Sequence, residues 1–200
     1  MTSDNSQRAR RPIESAPGVL VHPTADRQLA AEHWLLSTHP RPRQARADWD
    51  QHGVALLPLG TLFSAVRIPG ALIQAVADTT DADEVDAFLK EALADGPVIC
   101  NARHLRYYAL VPGSMPLTWR QAADDWRVQD VDCLGRGCYL GVPPLNPSKA
   151  RHEADSYWSV PMPSPAMLCR PLTVARLIAA GAYQLLAEGA EPGKPRIVEP

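Results

Sequence analysis

The chain has 200 residues, of which 46% are hydrophobic and 21% charged, and its formal net charge is −2. This is the balance of a single globular domain with an ordinary core, which excludes fibrous and wholly disordered classes. A charge this close to zero also excludes binding of a polyanion through the net field of the protein. Any contact with nucleic acid must therefore use a local basic patch.

The sequence lacks the features of a membrane or secreted protein. The first 16 residues are polar, and no run of 18 apolar residues occurs. We therefore predict a cytoplasmic protein without a membrane partner, whose four cysteines are reduced thiols rather than disulfides or a zinc site. Nearly all the basic residues are arginine, which is typical of a GC-rich bacterium.

Three regions are expected along the chain. Residues 1–22 are rich in Ser, Arg and Pro and lack periodicity, which predicts a disordered N-terminal lead. Residues 23–188 carry the patterns of one domain, and residues 189–200 form a C-terminal tail. At the start of the domain, apolar spacing predicts a helix from about Asp26 to Thr38, and a second helix from Arg43 to His52 ends at Gly53.

Apolar runs bounded by Gly and Pro predict the strands. Val54–Leu59 and Leu62–Ile68 are joined by Gly60-Thr61, which predicts a β-hairpin or strand pair. Val131–Leu134 and Cys138–Val142 form a second predicted pair around Gly135-Arg136-Gly137. The remaining predicted strands are Val98–Cys100, Leu105–Val111 and Tyr157–Val160.

Four more helices are predicted between and after these strands. The clearest is Asp81–Asp95, in which Val85, Phe88 and Leu89 fall on one helical face. The others are Ala71–Ala77, a short helix or ordered loop at Trp119–Val128, and Pro171–Glu188. The mixture of strand pairs and helices predicts an α+β fold with a mixed sheet flanked by helices.

The stretch from Arg103 to Pro112 carries a histidine at the entrance of an apolar, aromatic strand. His104 is flanked by Arg103 and Arg106, and these side chains together can meet phosphate oxygens. A further guanidinium lies between two glycines, at Arg136. We predict Arg103, His104, Arg106 and Arg136 as nucleotide- or phosphate-binding residues. The alternatives are a partly buried histidine, solvated arginines and a tight turn.

Two tyrosines follow the histidine. Tyr107 and Tyr108 are consecutive, so they point to opposite faces of the strand. One of them can stack on a base while the other packs inward, although core packing of both is the alternative. We therefore predict Tyr107 and Tyr108 as candidate stacking residues.

Three segments in chain order share features with a known group of domains. They are Trp49 to Pro69 with Gly53 before the first strand, Arg103-His104 with the aromatics up to Val111-Pro112, and Asp132 before a glycine-rich turn that leads to Pro143-Pro144. In this order they resemble the motifs of the bifunctional DNA primase/polymerase N-terminal domain, a member of the archaeo-eukaryotic primase-polymerase superfamily. The resemblance covers roughly residues 45–145 and implies a primase-polymerase-like fold.

The resemblance also implies chemistry. The family uses two divalent ions, bridged by carboxylates, to transfer a nucleotide. The matching positions here are Val66 and Ile68, which cannot bind magnesium, and Asp132 is the residual candidate for the third acid. The resemblance thus implies a catalytically degenerate protein that binds a nucleotide or nucleic acid and needs no metal cofactor.

Two other functions stay open at this point. The first is an active small DNA primase/polymerase that uses Mg²⁺, with Asp78, Asp81 and Asp83 in place of the lost acids. The second is a nucleotide-independent protein-interaction or regulatory module that binds a protein partner. Its expected contact patch is the proline-bracketed apolar segment Tyr157–Pro163.

Overall fold

The computed structural model of the protein describes residues 13–16, 19–21, 24–146 and 155–190. The helices are α1 (Thr24–Leu36), α2 (Pro42–His52), α3 (Gly70–Ala77), α4 (Ala82–Ala92), α5 (Met115–Thr118), α6 (Arg120–Trp126) and α7 (Pro171–Ala190). The strands are β1 (Ile13–Ala16), β2 (Val19–Val21), β3 (Ala55–Pro58), β4 (Phe63–Pro69), β5 (Val98–Asn101), β6 (Arg106–Pro112), β7 (Asp132–Leu134), β8 (Tyr139–Val142) and β9 (Ser156–Val160).

A five-stranded sheet with the order β7-β4-β6-β5-β9 forms the centre of the fold. Its longest ladder joins β4 to β6, from the pair Phe63–Pro112 at one end to the pair Pro69–Arg106 at the other. The predicted α+β class is confirmed. Every strand pairing that the structure describes is antiparallel, however, so the expectation of a mixed sheet was wrong on this point.

The five-stranded sheet has other elements packed on both of its faces. Side chains on each strand alternate between the two faces, and apolar residues on both of them are buried. On the first face, Val66, Ile68 and Tyr107 pack beneath α3, α4 and α7. On the second face, Phe63 and Leu110 pack beneath α1, α2 and the two-stranded ribbon of β3 and β8. The chain thus folds as a helical layer, a sheet, and a mixed layer of ribbon and helices.

The strands of the two predicted pairs all form, but they do not pair with each other. β3 pairs with β8, whereas β4 pairs with β6 and β7. Burial explains the difference: four consecutive residues of β4, from Phe63 to Val66, are buried, as in a central strand. β3 instead alternates, with Leu56 62% exposed, which suits a ribbon with a free face.

The predictions for the ends of the chain are corrected in part. Residues 13–21, within the lead predicted to be disordered, include β1 and β2, which pair antiparallel. Ile13, Val19 and Val21 are β-branched and suit such a ribbon. α7 extends to Ala190, two residues past its predicted end. The rest of the predicted lead and tail, residues 1–12, 17–18, 22 and 191–200, lies outside the described residues.

The segment predicted as an apolar contact patch is largely buried. Tyr157, Trp158 and Val160 are at most 9% exposed, because β9 is a strand of the main sheet with both faces covered. Trp158 also donates a hydrogen bond from Nε1 to the carbonyl oxygen of Pro143, at 2.9 Å. This corrects the expectation of an exposed apolar surface there. Separately, no helix among the described residues has the length and apolar character needed to cross a membrane.

Candidate functional site

Four charged side chains meet on the second face of the main sheet, at the end of the ladder where Pro69 pairs with Arg106. Arg67 forms an ion pair with Asp132, its register partner on β7, and lies 3.4 Å from Asp130. Arg106 donates from Nη2 to Asp130 Oδ2 at 2.6 Å. We call Arg67, Arg106, Asp130 and Asp132 the charged cluster. It joins three strands through side chains rather than through apolar packing.

The strand register explains how the two arginines come together. Arg67 lies opposite Tyr108 on β6, and Arg106 lies two residues further along the same strand, so both project from one face as diagonal neighbours. Asp130 ends the 3₁₀ turn that follows α6, and its φ of 56° places it in the left-handed region. Aspartate tolerates this conformation better than most residues. The resulting bend carries the Asp130 carboxylate to both guanidinium groups.

The turn Ala102–Leu105, which we call the basic turn, leads into this end of β6. It presents Arg103 and His104, both exposed, to solvent. The backbone N–H of His104 donates to Asn101 Oδ1 at 3.0 Å, and the Gly70 N–H donates to the Leu105 carbonyl oxygen at 2.8 Å. A side chain at Gly70 would collide with that of Leu105. The turn is therefore fixed by its backbone, which leaves the Arg103 and His104 side chains accessible.

Arg136, the fourth predicted phosphate-binding residue, lies at the opposite end of the β4–β6 ladder. Its backbone contacts Gly60, whose N–H donates to the carbonyl oxygen of Phe63, the first residue of β4. The ladder has seven residue pairs, so six steps separate its ends, which corresponds to about 20 Å at 3.3 Å per residue. The structure thus brings Arg103, His104 and Arg106 together but leaves Arg136 apart, which corrects the expectation of one shared site.

The two tyrosines face opposite sides of β6, as predicted. Tyr107 lies on the first face and is 2% exposed, and burial is the main cause that raises the pKa of its hydroxyl. A base cannot reach this ring, so of the two candidate stacking residues Tyr107 is the one that packs inward. Tyr108 is half-buried on the second face, directly opposite Arg67. It is the tyrosine whose ring adjoins the charged cluster.

The residues at the positions where the resemblance implies metal-binding acids do not fit a two-metal site. Val66 and Ile68 are at most 1% exposed and point into the helix-covered core. Asp132 is held by Arg67, and a guanidinium competes directly with a metal ion for its carboxylate. Asp81 is the N-cap of α4, where it accepts hydrogen bonds from the N–H groups of Asp83 and Glu84 at 3.0 Å. Within the described ranges, no group of three or more His, Cys, Asp or Glu side chains could hold a metal ion.

A groove of about 810 Å³ runs along the free edge of β7, between this strand and helices α5 and α6. Asp132 lines it, so the groove adjoins the charged cluster, and Arg120 and Arg127 lie on its other side. Arg127 pairs with Asp124 at 3.5 Å. A volume of this size is within the range of small-molecule sites.

Sequence reasoning missed Arg67 and Asp130 as parts of the site. A signal existed for Arg67: it is the one charged residue in a strand that is otherwise apolar or small, and such residues are rarely buried without a partner. For Asp130 the sequence offered no comparable signal, because its role depends on how β4, β6 and the 3₁₀ turn meet.

Comparison with protein-family models, with curated proteins and with solved structures finds no match to this chain. The functional interpretation therefore rests on the geometry of the basic turn and the charged cluster.

Proposed function

We propose that this protein binds the phosphate groups of a nucleotide or of single-stranded nucleic acid at the basic turn, without transferring nucleotides itself. In this proposal it is a catalytically degenerate, divergent relative of primase-polymerase domains. The observation that carries the proposal is the pair Arg103 and His104, whose exposed side chains have no hydrogen-bond or ion-pair partner among the described residues. They stand immediately before Arg106 and the charged cluster.

The chemistry of the basic turn favours phosphate over a neutral ligand. Guanidinium and protonated imidazole groups form charge-assisted hydrogen bonds with phosphate oxygens, and these are stronger than neutral ones. Tyr108 lies opposite Arg67 on the same face and offers a half-buried ring to a base. Since the whole chain has a formal charge of −2, attraction is local and will weaken as salt is added.

The side chains at the expected metal-binding positions support the absence of nucleotide transfer. Transfer of a nucleotide requires carboxylates that bridge two metal ions beside the triphosphate. Val66 and Ile68 are apolar and buried where the resemblance implies those acids, and Arg67 neutralises Asp132. An active small primase/polymerase is the alternative enzyme, and magnesium-dependent extension of a primer would establish it in place of our proposal.

The test is a titration at low salt of labelled nucleoside triphosphate and of short single-stranded DNA, with and without Mg²⁺. Wild-type protein is compared with Arg103→Ala and His104→Ala. We expect each substitution to weaken binding about fivefold, as loss of one exposed charge-assisted contact would. We also expect Arg103→Ala to reduce the salt dependence by about one phosphate contact.

Arg136→Ala is the matched control, because it removes an exposed arginine from the far end of the same ladder. It lowers the net charge by the same amount as Arg103→Ala and should change the affinity less than twofold. Equal weakening by both substitutions would mean that only net charge matters, which would contradict a site at the basic turn. Lack of binding to either ligand would overturn the proposed function and favour a protein-interaction module.

A further inference from the structure

We propose that Arg67 and Arg106 form a phosphate-binding position that the Asp130 carboxylate occupies in the free protein. The phosphate of an incoming ligand displaces this carboxylate. This inference rests on the proposed function, since it places a second contact beside the basic turn. It assigns ligand-binding roles to Arg67 and to Asp130, the latter as an internal competitor for the ligand.

The Asp130 carboxylate bridges the two arginines as an anion would. Its Oδ1 lies 3.4 Å from Arg67 Nη2, and its Oδ2 accepts a hydrogen bond from Arg106 Nη2 at 2.6 Å. A phosphate group carries more negative charge and three acceptor oxygens, so it can satisfy the same two guanidinium groups with more contacts. The two arginines therefore already stand at a separation that a small oxyanion spans.

The two aspartates do not use all the N–H donors of the two guanidinium groups. Both ion pairs of Arg67 use the same nitrogen, Nη2, and its buried Nε has no partner among the described residues. Arg106 also bonds to Asp130 through a single nitrogen. Each guanidinium has five N–H donors, so neither is saturated by the aspartates. Asp132 continues to orient Arg67 when Asp130 leaves.

Asp130 is also placed so that it can be displaced. Its side chain is 56% exposed, and it stands at the end of the 3₁₀ turn rather than inside a helix or strand. Ion pairs at this level of exposure contribute little stability, because water replaces the lost partner. Asp132, by contrast, lies within β7 and is 34% exposed. Displacement of Asp130 thus costs less than displacement of Asp132.

The surroundings indicate a nucleotide rather than a free phosphate ion. Tyr108 lies opposite Arg67, and the groove of about 810 Å³ begins at Asp132. A nucleoside triphosphate can therefore place phosphate at the two arginines and its base on the ring or in the groove. Inorganic pyrophosphate would use the arginines alone, so comparison of the two ligands separates the contributions.

The test compares Asp130→Asn with Asp95→Asn in titrations of labelled nucleoside triphosphate and of pyrophosphate. Asp95, in the turn after α4, is the matched control, since it is 58% exposed, ion-paired to one cation, Lys90, and left-handed with a φ of 59°. Each substitution removes one negative charge from the protein. Asparagine tolerates the left-handed backbone of both positions, so the variants should fold. We expect Asp130→Asn to bind both ligands about tenfold more tightly and Asp95→Asn to change affinity less than twofold.

The double variant Asp130→Asn, Arg106→Gln should lose the increase in affinity that Asp130→Asn alone produces. If wild-type protein binds in a manner that depends on Arg103, yet Asp130→Asn binds no more tightly than Asp95→Asn, the role of Asp130 as an internal competitor is overturned while the proposed function stands. If no variant binds either ligand, both fail. Should Asp130→Asn not fold, NMR of the arginine side chains in wild-type protein decides: pyrophosphate must shift the signals of Arg67 and Arg106 but not of Arg127, and unmoved signals overturn the proposal.

Discussion

The two faces of the central sheet are built from the same strands yet have different chemistry. On β4, Val66 is fully buried beneath helices, whereas the side chain of Arg67, the next residue, is 34% exposed on the other face. On β6, Tyr107 and Tyr108 divide in the same way. On β4 and β6 the first face is a closed core. The second face is closed near Phe63 and Leu110 but ends in charged side chains.

This difference decides what the resemblance to primase-polymerases can mean. The positions that the motif alignment matches to metal-binding acids lie on the first face, inside the core. The charged residues of β4 and β7, Arg67 and Asp132, lie on the second face, where they are register partners. A ligand can approach the second face at its charged end, whereas Val66 and Ile68 on the first face are buried.

Introducing an acid on the first face should have the largest effect. Val66→Asp places a carboxylate in a site of 0% exposure with no basic partner among the core residues around it. We expect a loss of at least about 4 kcal/mol in the free energy of unfolding, or no folded protein at all. Chemical denaturation measures it. The control is Leu56→Asp on the exposed side of β3, which should cost less than about 1 kcal/mol.

A folded Val66→Asp variant of nearly wild-type stability would mean that the first face is open to water. The comparison of the two faces would then fail.

The link between the ribbon of the second layer and the main sheet should be the next most sensitive point. Gly60 joins β3 to β4 with a φ of 87°, and a Cβ there would lie 2.4 Å from the backbone nitrogen of Arg136. Gly60→Ala should cost about 3 kcal/mol from backbone strain and overpacking together. Gly137 has a φ of 89° and no atom within 4 Å of such a Cβ, so Gly137→Ala should cost only about 1 kcal/mol.

Equal costs for Gly60→Ala and Gly137→Ala in thermal or denaturant unfolding would contradict the close approach of Arg136 to Gly60. That contact is also what places Arg136 at the far end of the ladder, so the result would reopen the grouping of the phosphate-binding residues.

The elements of this fold could be predicted from the sequence far better than their pairing. The helix at Asp81 and the helix end at Gly53 are local signals, and both are confirmed. Pairing depends on long-range packing: the short link at Gly60-Thr61 is typical of a hairpin, yet β3 lies beside β8 because β4 needs neighbours on both edges. The residues of a turn do not determine which pairing of the strands buries more apolar surface.

The site was predictable to the same degree. Arg103, His104 and Arg106 are close in sequence and stay close in space. Arg136 could be grouped with them only by assuming a register, and the register places it at the other end. The pairing of Arg67 with Asp130 and Asp132 depends on where β7 docks against β4, which no spacing in the sequence encodes.

Alkaline pH should lower the free energy of unfolding through groups on the first face, because burial raises the pKa of two thiols and a tyrosine hydroxyl there. It raises the pKa of the Cys169 thiol from 9.0 to about 12 and that of Cys133 to about 11. The pKa of Tyr107 is raised as well. These groups stay protonated in the folded protein while they ionise in the unfolded chain. Their contribution to stability is therefore complete below about pH 9 and is lost as the pH rises toward the folded values.

Between pH 8 and pH 10.5, ionisation of the Cys169 thiol in the unfolded chain should lower the free energy of unfolding by roughly 2 kcal/mol. The decrease is about 1.4 kcal/mol per pH unit above the unfolded pKa. Denaturant unfolding at a series of pH values measures the slope. Cys169→Ala should flatten it even though the variant is less stable at pH 8. An unchanged slope in Cys169→Ala would mean that this thiol is not shielded from water in the folded state.

The smallest effect should come from removing one hydroxyl on each face. The Tyr107 hydroxyl is hydrogen-bonded to the Cys100 thiol within the core, so Tyr107→Phe should cost about 1 kcal/mol and leave ligand binding unchanged. Tyr108→Phe removes a hydroxyl from a half-buried ring and should cost less than about 0.5 kcal/mol. Because phenylalanine keeps the aromatic face, it should also preserve nucleotide affinity, whereas Tyr108→Ala should weaken it several-fold. If Tyr107→Phe weakened binding and Tyr108→Ala did not, the ligand would have to reach the helix-covered face, and the assignment of the two faces would be reversed.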